Sequence, residues 1–134
     1  MRESTLNRAI NQKLRTLEPK WVVWKMQSGA RGGIPDNYYR SPYRALWVEM
    51  KFDSTPPRTI NLTKRLTPLQ QRTLTQLHEN NEHVAVLYAT PSAFTLIEGD
   101  NWQTPIPKEQ LIPMKSSTCI AKVLQKTLIC AGDF

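Results

Sequence analysis

Apolar residues recur at helical spacing in three parts of the chain. From Glu3 to Leu17 they recur every three or four residues, which predicts an amphipathic helix that Pro19 ends. The same periodicity predicts a second helix from about Pro68 to Glu79 and a last helix from Ser116 to Ile129. The stripes consist of Leu6, Ile10, Leu14 and Leu17; of Leu66, Leu69 or Gln70, Leu74 and Leu77; and of Ile120, Val123, Leu124 and Leu128.

Short apolar runs bounded by turn residues predict strands. Trp21–Met26, Asp36–Tyr39 and Ala45–Phe52 follow one another closely, which favours an antiparallel meander. Val84–Tyr88 is almost wholly apolar, as in a strand buried on both faces, and a helical crossover would place it parallel to the third strand. Ala93–Glu98 is expected to pair with it as a hairpin. The predicted order is therefore α-β-β-β-α-β, followed by a hairpin and a helix.

The remaining segments carry no periodic pattern. Asp53–Arg65 contains Pro56-Pro57 and several basic residues, so we interpret it as a mobile loop. A chain of 134 residues can bury a core without disulfides, and nothing in the sequence marks a boundary between domains. We therefore predict a single domain over residues 1–134, with its core at about 2–89 and a C-terminal extension at about 90–134.

The third predicted strand places charged residues on one face. Because side chains alternate along a strand, Glu49 and Lys51 project from the face opposite to that of Val48 and Met50. An acid and a base therefore lie side by side, close to wherever Asp36 is placed by the preceding strand. The alternative is a half-buried strand whose charged pair simply faces solvent.

Two further segments frame these residues. Gly32-Gly33 precede Ile34-Pro35-Asp36, so the chain can turn sharply before it presents the aspartate. Thr67-Pro68-Leu69-Gln70 opens the second helix with the pattern of a capping box, in which Thr67 is the N-cap and Gln70 reaches back to it.

These pieces, in this order, resemble a known nuclease family. The set Glu3, Gly33-Ile34-Pro35-Asp36, Glu49-Met50-Lys51 and Leu66-Thr67-Pro68-Leu69-Gln70 is similar to the VRR-NUC branch of the PD-(D/E)xK superfamily, in its small stand-alone form. The resemblance spans roughly residues 2 to 89. It implies a mixed α/β (α+β) fold of the restriction-endonuclease type.

The resemblance also implies a catalytic site. Asp36 and Glu49 would bind a divalent metal together with the backbone carbonyl of Met50, and hard oxygen ligands of this kind suit Mg²⁺, for which Mn²⁺ can substitute. Lys51 would orient or deprotonate the attacking water, or stabilise charge on the phosphate. Asp36, Glu49, Lys51 and Gln70 are thus the predicted catalytic residues, and Glu3, Asp36, Glu49 and Met50 the predicted metal site.

Two of these residues have structural alternatives. Gln70 could contact the scissile phosphate or a water at the metal, but closing the capping box would by itself explain a glutamine there. Glu3 could join the metal site, directly or through a water, or could simply be an acid placed favourably at a helix N-terminus.

The chain is basic, with a formal net charge of +7 and a pI near 9.7. Such a surface attracts polyanions, although basic proteins that bind no nucleic acid are common. Lys25 could contact the phosphate backbone, with a solvated lysine as the alternative. The predicted nucleic-acid-binding residues are Lys25, Arg31, Arg58, Lys64 and Arg65.

The same composition argues against other classes of protein. No apolar run is long enough to span a membrane, and the N-terminus lacks the apolar core of a signal peptide. Cys119 and Cys130 show no metal-binding spacing, so we expect reduced thiols in a cytoplasmic protein and no zinc site.

Together these features predict a magnesium-dependent endonuclease that acts on DNA and leaves a 5′-phosphate. Because the chain has no separate domain for reading bases, recognition of DNA structure fits better than recognition of sequence. The resemblance implies a homodimer acting on branched DNA such as four-way junctions. The apolar stripe of the last helix is one candidate dimer surface, but it could instead cover the chain's own sheet, and the first helix is then the other candidate. The alternatives are a nonspecific or flap-directed nuclease and, outside enzymes, an inert basic DNA-binding module. The sequence leaves open whether the substrate is DNA or RNA.

Overall fold

The structure, a computed structural model, describes residues 2–26 and 32–129. Within these ranges, four α-helices and eight strands follow one another in chain order, with two short 3₁₀ helices at Asn101–Gln103 and Lys108–Gln110. They are α1 (Glu3–Leu17), β1 (Val22–Lys25), β2 (Asn37–Arg40), β3 (Ala45–Phe52), β4 (Thr59–Ile60), α2 (Leu62–Arg65), α3 (Pro68–Glu79), β5 (Val84–Ala89), β6 (Ala93–Glu98), β7 (Ile106–Pro107), β8 (Ile112–Pro113) and α4 (Ser117–Ile129).

Six of the strands form one mixed sheet in the order β1-β2-β3-β5-β6-β8. Strands β3 and β5 are parallel, joined by the crossover through α3, and their neighbours pair antiparallel. The meander, the parallel pair and the β5–β6 hairpin are all confirmed. The first two strands differ from prediction by one residue at their ends, because Trp21, Met26 and Asp36 lie just outside the paired register.

Two apolar layers hold the sheet. On one face, α1 and α4 pack on the even-numbered residues of β3, so that Leu46, Val48 and Met50 are buried beneath them. On the other face, α2 and α3 cover β5 with a second cluster, which includes Leu74 and Val86. The sheet thus lies between helical layers, as the binary pattern of the strands requires.

The interpretation of Asp53–Arg65 as a loop was wrong. Strand β4 pairs with β7, and α2 follows it directly, with Ile60 and Leu62 almost completely buried in the second apolar cluster. Two apolar side chains, Ile60 and Leu62, fix this segment by packing on distant partners. The segment has no periodic apolar pattern from which the strand and helix could be predicted.

The apolar stripes of α1 and α4 pack inside the core of the same chain. Ile120, Leu124 and Leu128 of α4 are buried against α1 and the sheet, and so are Ile10 and Leu14 of α1. Neither stripe is therefore available as a dimer surface. No helix in the described ranges is long and apolar enough to cross a membrane.

Candidate functional site

The site forms where the sheet opens beside β3. Strand β2 pairs with β3 only as far as Asn37 opposite Val48, so no strand of the described part of the chain pairs with the rest of β3 on that side. The amides of Trp47 and Asp53 bond to the β5 side, at the carbonyls of His83 and Ala89. Since successive residues of a strand point their backbone groups to opposite sides, the N–H and C=O groups of Met50 face the opening.

Carboxylates occupy this opening. Asp36 Oδ2 accepts a hydrogen bond of 2.8 Å from the amide of Met50, and Glu3 lies in the same opening. The carbonyl of Asp36 in turn accepts a 2.7 Å bond from Met26, which fixes the chain just before β2. The cleft, of about 180 Å³, is lined by Glu3, Ser4, Asn7, Lys25, Asp36 and Met50.

Gly33 brings the Asp36 segment against helix α3. Its φ of +74° is in the left-handed region, and a Cβ at this position would lie 2.6 Å from Cγ of Leu69. Only glycine therefore lets this turn close onto the first turn of α3, next to Gln70. The predicted sharp turn at Gly32-Gly33 is confirmed, and close packing is a second reason for the glycine.

Gln70 closes the capping box and also contacts Glu49. Its side-chain Oε1 accepts a hydrogen bond of 2.9 Å from the backbone N–H of Thr67. The backbone N–H of Gln70 donates to Thr67 Oγ1, which completes the capping box. Its Nε2 donates to Glu49 Oε2 at 3.2 Å. One side chain thus caps α3 and ties that helix to the acid of β3.

Glu49 is a buried acid with charged neighbours. It is 2% exposed, and the Lys51 amine lies 3.6 Å from the same Oε2 atom that Gln70 contacts. Burial raises the pKa of Glu49 to about 8, and the adjacent charge of Asp36 adds to this effect more than Lys51 offsets it. Contact with the Asp36 side chain raises the pKa of Glu49 further.

Glu3 lies at the far side of the same cleft. Burial and the charge of Asp36 raise its pKa, while Lys51 lowers it. Among residues 2–26 and 32–129, no three His, Cys, Asp or Glu side chains form a group that could hold a metal. Glu3 therefore lines the cleft with Asp36 and Met50 but, among the described residues, belongs to no three-carboxylate cluster.

The donor set still fits a hard divalent cation. Burial and the neighbouring charge of Asp36 disfavour the charged form of Glu49, and a cation bound between the two carboxyl groups would stabilise that form. The carbonyl of Met50 faces the same opening. Mg²⁺ is commonly bound by one or two carboxylates and keeps several waters, which matches Asp36, Glu49 and one backbone oxygen.

A buried polar network, missed in the sequence, supports the cleft. Asn37 exchanges hydrogen bonds with Asn7 at 2.6 and 3.2 Å and accepts a third from Asn11, whose own oxygen is bonded by the hydroxyl of Tyr39. Asn7 and Asn11 lie one helical turn apart on the buried side of α1, a pattern that could have revealed them. The network fixes α1, which carries Glu3, to the strand that follows Asp36.

The predicted DNA-binding residues differ in their surroundings. Lys25 is exposed at the cleft, and Arg58 and Lys64 are exposed beyond it. Arg65 instead forms a 2.8 Å ion pair with Asp53 and donates to the carbonyl of Phe52, which holds α2 against the end of β3. Arg31 lies outside the described residues.

Comparison with known proteins identifies the fold. No protein-family model matches the sequence, and no curated protein matches it by sequence. The structure is similar to that of Hjc, a Holliday junction resolvase from the archaeal hyperthermophile Archaeoglobus fulgidus, with a TM-score of 0.57 and 12% sequence identity over 88% of this chain and 98% of the resolvase chain. The mixed sheet and its helices are thus a restriction-endonuclease-like fold, and membership of the VRR-NUC family stays a prediction.

Proposed function

We propose that this protein is a divalent-metal-dependent endonuclease that hydrolyses phosphodiester bonds of DNA. The observation that carries the proposal is the buried carboxyl of Glu49, with the charge of Asp36 next to it and the Lys51 amine 3.6 Å away at the open edge of β3. A protein with the same fold is a Holliday junction resolvase, which supports a nuclease acting on branched DNA.

The residues divide the work of hydrolysis among them. Asp36, Glu49 and the carbonyl of Met50 would hold Mg²⁺, which supplies positive charge to the phosphate and acidifies water. Lys51, 13% exposed at its side chain, reaches the open end of the site, where its amine orients the attacking water and offsets negative charge on the phosphate. Gln70 fixes the rotamer of Glu49, and Lys25 contributes positive charge at the mouth of the cleft.

The proposed substrate is branched DNA, and the proposed active form is a homodimer. Resolving a four-way junction takes two symmetric nicks, which a two-fold dimer supplies from equivalent sites. Incubation with a four-way junction, a flap and plain duplex in Mg²⁺ tests this. We expect paired nicks with 5′-phosphates on the junction and slower cutting of duplex; equal rates on all three substrates would leave a nonspecific nuclease.

The double role of Gln70 can be separated by two substitutions. Gln70→Glu keeps an oxygen that closes the capping box but replaces the amide that donates to Glu49, so cleavage should fall at least tenfold while the melting temperature changes little. Thr67→Ala removes the cap alone and should cost about 1 kcal/mol of folding stability with cleavage nearly unchanged. If Gln70→Glu instead lowered the melting temperature and left cleavage nearly unchanged, Gln70 would only cap the helix.

Glu49 should make the metal-free protein sensitive to pH. Its pKa of about 8 in the folded protein lies above the ordinary value of 4.5, so the folded state keeps a proton that the unfolded chain releases. The contribution of Glu49 to folding stability is then fully present below the unfolded pKa and is lost as pH rises from about 4.5 through about 8. We expect the melting temperature in EDTA to fall over this range.

Variants identify the group responsible. Glu49→Gln, which cannot ionise, should flatten the fall in melting temperature, whereas Glu98→Gln at an exposed position should leave it unchanged. Because metal binding requires the deprotonated acid, Mg²⁺ should stabilise the wild-type protein more at about pH 8 than at about pH 5. A fall that persists in Glu49→Gln would assign the effect to another group.

A further inference from the structure

Three aromatic side chains lie in register across the first three strands. Trp24 pairs directly with Tyr38, and Tyr38 pairs directly with Trp47. Their ring centroids are 5.8 and 4.7 Å apart, with planes tilted by 38° and 56°. Since directly paired residues of a sheet share a face, the three rings form one continuous strip, which we call the aromatic row.

The aromatic row adjoins the proposed catalytic site. Trp47 and Glu49 are two residues apart on β3 and project from the same face, and Asp36 lies two residues before Tyr38. Two residues of a strand span about 7 Å, and the row extends over about 10 Å across its three strands. A DNA strand whose phosphate lies at Asp36 and Glu49 can therefore reach the row within a few nucleotides.

The aromatic row lies along a surface groove that is lined by both apolar and charged side chains. Trp24 is 59% exposed, and the groove along the row has a volume of about 350 Å³. Besides the three rings it is lined by Val22, Met26, Arg40 and Glu82. The indole N–H of Trp47 is buried without a hydrogen-bond partner, which leaves a donor unused within the row. Arg40 offers a cation for a phosphate, whereas Glu82 opposes one.

We infer that the aromatic row is a stacking platform for unpaired nucleotides of the strand that enters the catalytic site. This inference rests on the proposed nuclease function and gives it a determinant of substrate choice. Bases within a duplex have both faces covered by their neighbours, so only an unpaired or unstacked base can present a face to Trp24. Stacking on aromatic side chains tolerates every base, which suits recognition of DNA structure rather than sequence.

Binding without catalysis tests the row separately from cleavage. In EDTA, a fluorescent single-stranded oligothymidine should bind Trp24→Ala about 5- to 150-fold more weakly than wild type, the loss expected for one base stack. Trp24→Tyr, which keeps a ring, should recover most of the affinity. Tyr43→Ala is the matched control, because Tyr43 is 60% exposed but lies in the turn between β2 and β3. Equal losses in the two alanine variants, or none, would overturn the inference.

Photocrosslinking tests it on the unaltered protein. A branched DNA carrying 5-iodouracil in its unpaired strand should crosslink to Trp24 or Tyr38, as located by peptide mass spectrometry. Crosslinks found only elsewhere would contradict the platform. So would a dimer in light scattering that Trp24→Ala converts to monomer without loss of DNA affinity, because a second copy would then cover the row.

The two proposals fail in different ways. If wild-type protein binds single strands through Trp24 but cuts no DNA in Mg²⁺, the nuclease proposal is wrong and the stacking platform stands. If it cuts DNA in a Lys51-dependent manner while Trp24→Ala binds normally, the platform alone is wrong.

Discussion

Lys51→Ala should reduce the rate of DNA cleavage by about 10²- to 10⁴-fold, the usual loss when a positioned catalytic group is removed. The Lys51 amine is the cation nearest to the buried Glu49 carboxyl, at 3.6 Å. Its removal takes away the group that orients water and also raises the pKa of Glu49 further, because Lys51 is what lowers it. The higher pKa disfavours the charged acid that a metal requires.

The fold and most of the DNA affinity should survive this change. Lys51 is one of 18 lysines and arginines, so the overall attraction for DNA is nearly kept. Lys122→Ala removes the same charge from the exposed side of α4 and should cleave like wild type. If Lys51→Ala cleaved within about twofold of that control, a catalytic role for the lysine would be excluded.

Asp36→Asn should abolish both metal binding and cleavage while leaving the chain folded. The asparagine oxygen can still accept the 2.8 Å bond from Met50, so the opening beside β3 keeps its shape. The lost charge removes a ligand for the cation and also a cause of the raised pKa of Glu49. DNA affinity in EDTA should rise slightly, because one carboxylate that repels phosphate is gone.

Three measurements check this variant. Calorimetric titration with Mg²⁺ should show no binding, cleavage should be undetectable, and the fall of melting temperature with pH in EDTA should be shallower than in wild type. Asp100→Asn, at an exposed turn, is the matched control for loss of a negative charge. Cleavage by Asp36→Asn at a rate near that of wild type would refute the assignment of the metal site.

Local patterns were enough to predict most of the sheet and its helices. The alternation along β3 places Glu49 and Lys51 on one face, and their side chains do meet. The capping box at Thr67 likewise follows from four consecutive residues. In contrast, β4 and α2 depend on distant partners, since Ile60 is held by pairing with Ile106 and not by any pattern of its own segment.

The parts of the site that escaped prediction are long-range polar contacts. The sequence shows that Gln70 can cap a helix, but the bond to Glu49 arises only when α3 crosses β3. Arg65 appears in the sequence as one more basic loop residue, whereas its ion pair with Asp53 ties it to the end of β3. The spacing of Asn7 and Asn11 marks both as facing the core, but their partner Asn37 is not evident from the sequence, because it lies 30 residues from Asn7.

Cleavage of DNA by the wild-type protein with and without metal is the most direct test of the central claim. We expect cleavage in Mg²⁺ or Mn²⁺ and none in EDTA. In Ca²⁺, whose coordination is longer and looser, the protein should bind DNA with little cleavage. Restoration of activity when Mg²⁺ is added to the EDTA-treated protein should complete the result. Full cleavage in EDTA would contradict a metal-dependent site built on Asp36 and Glu49.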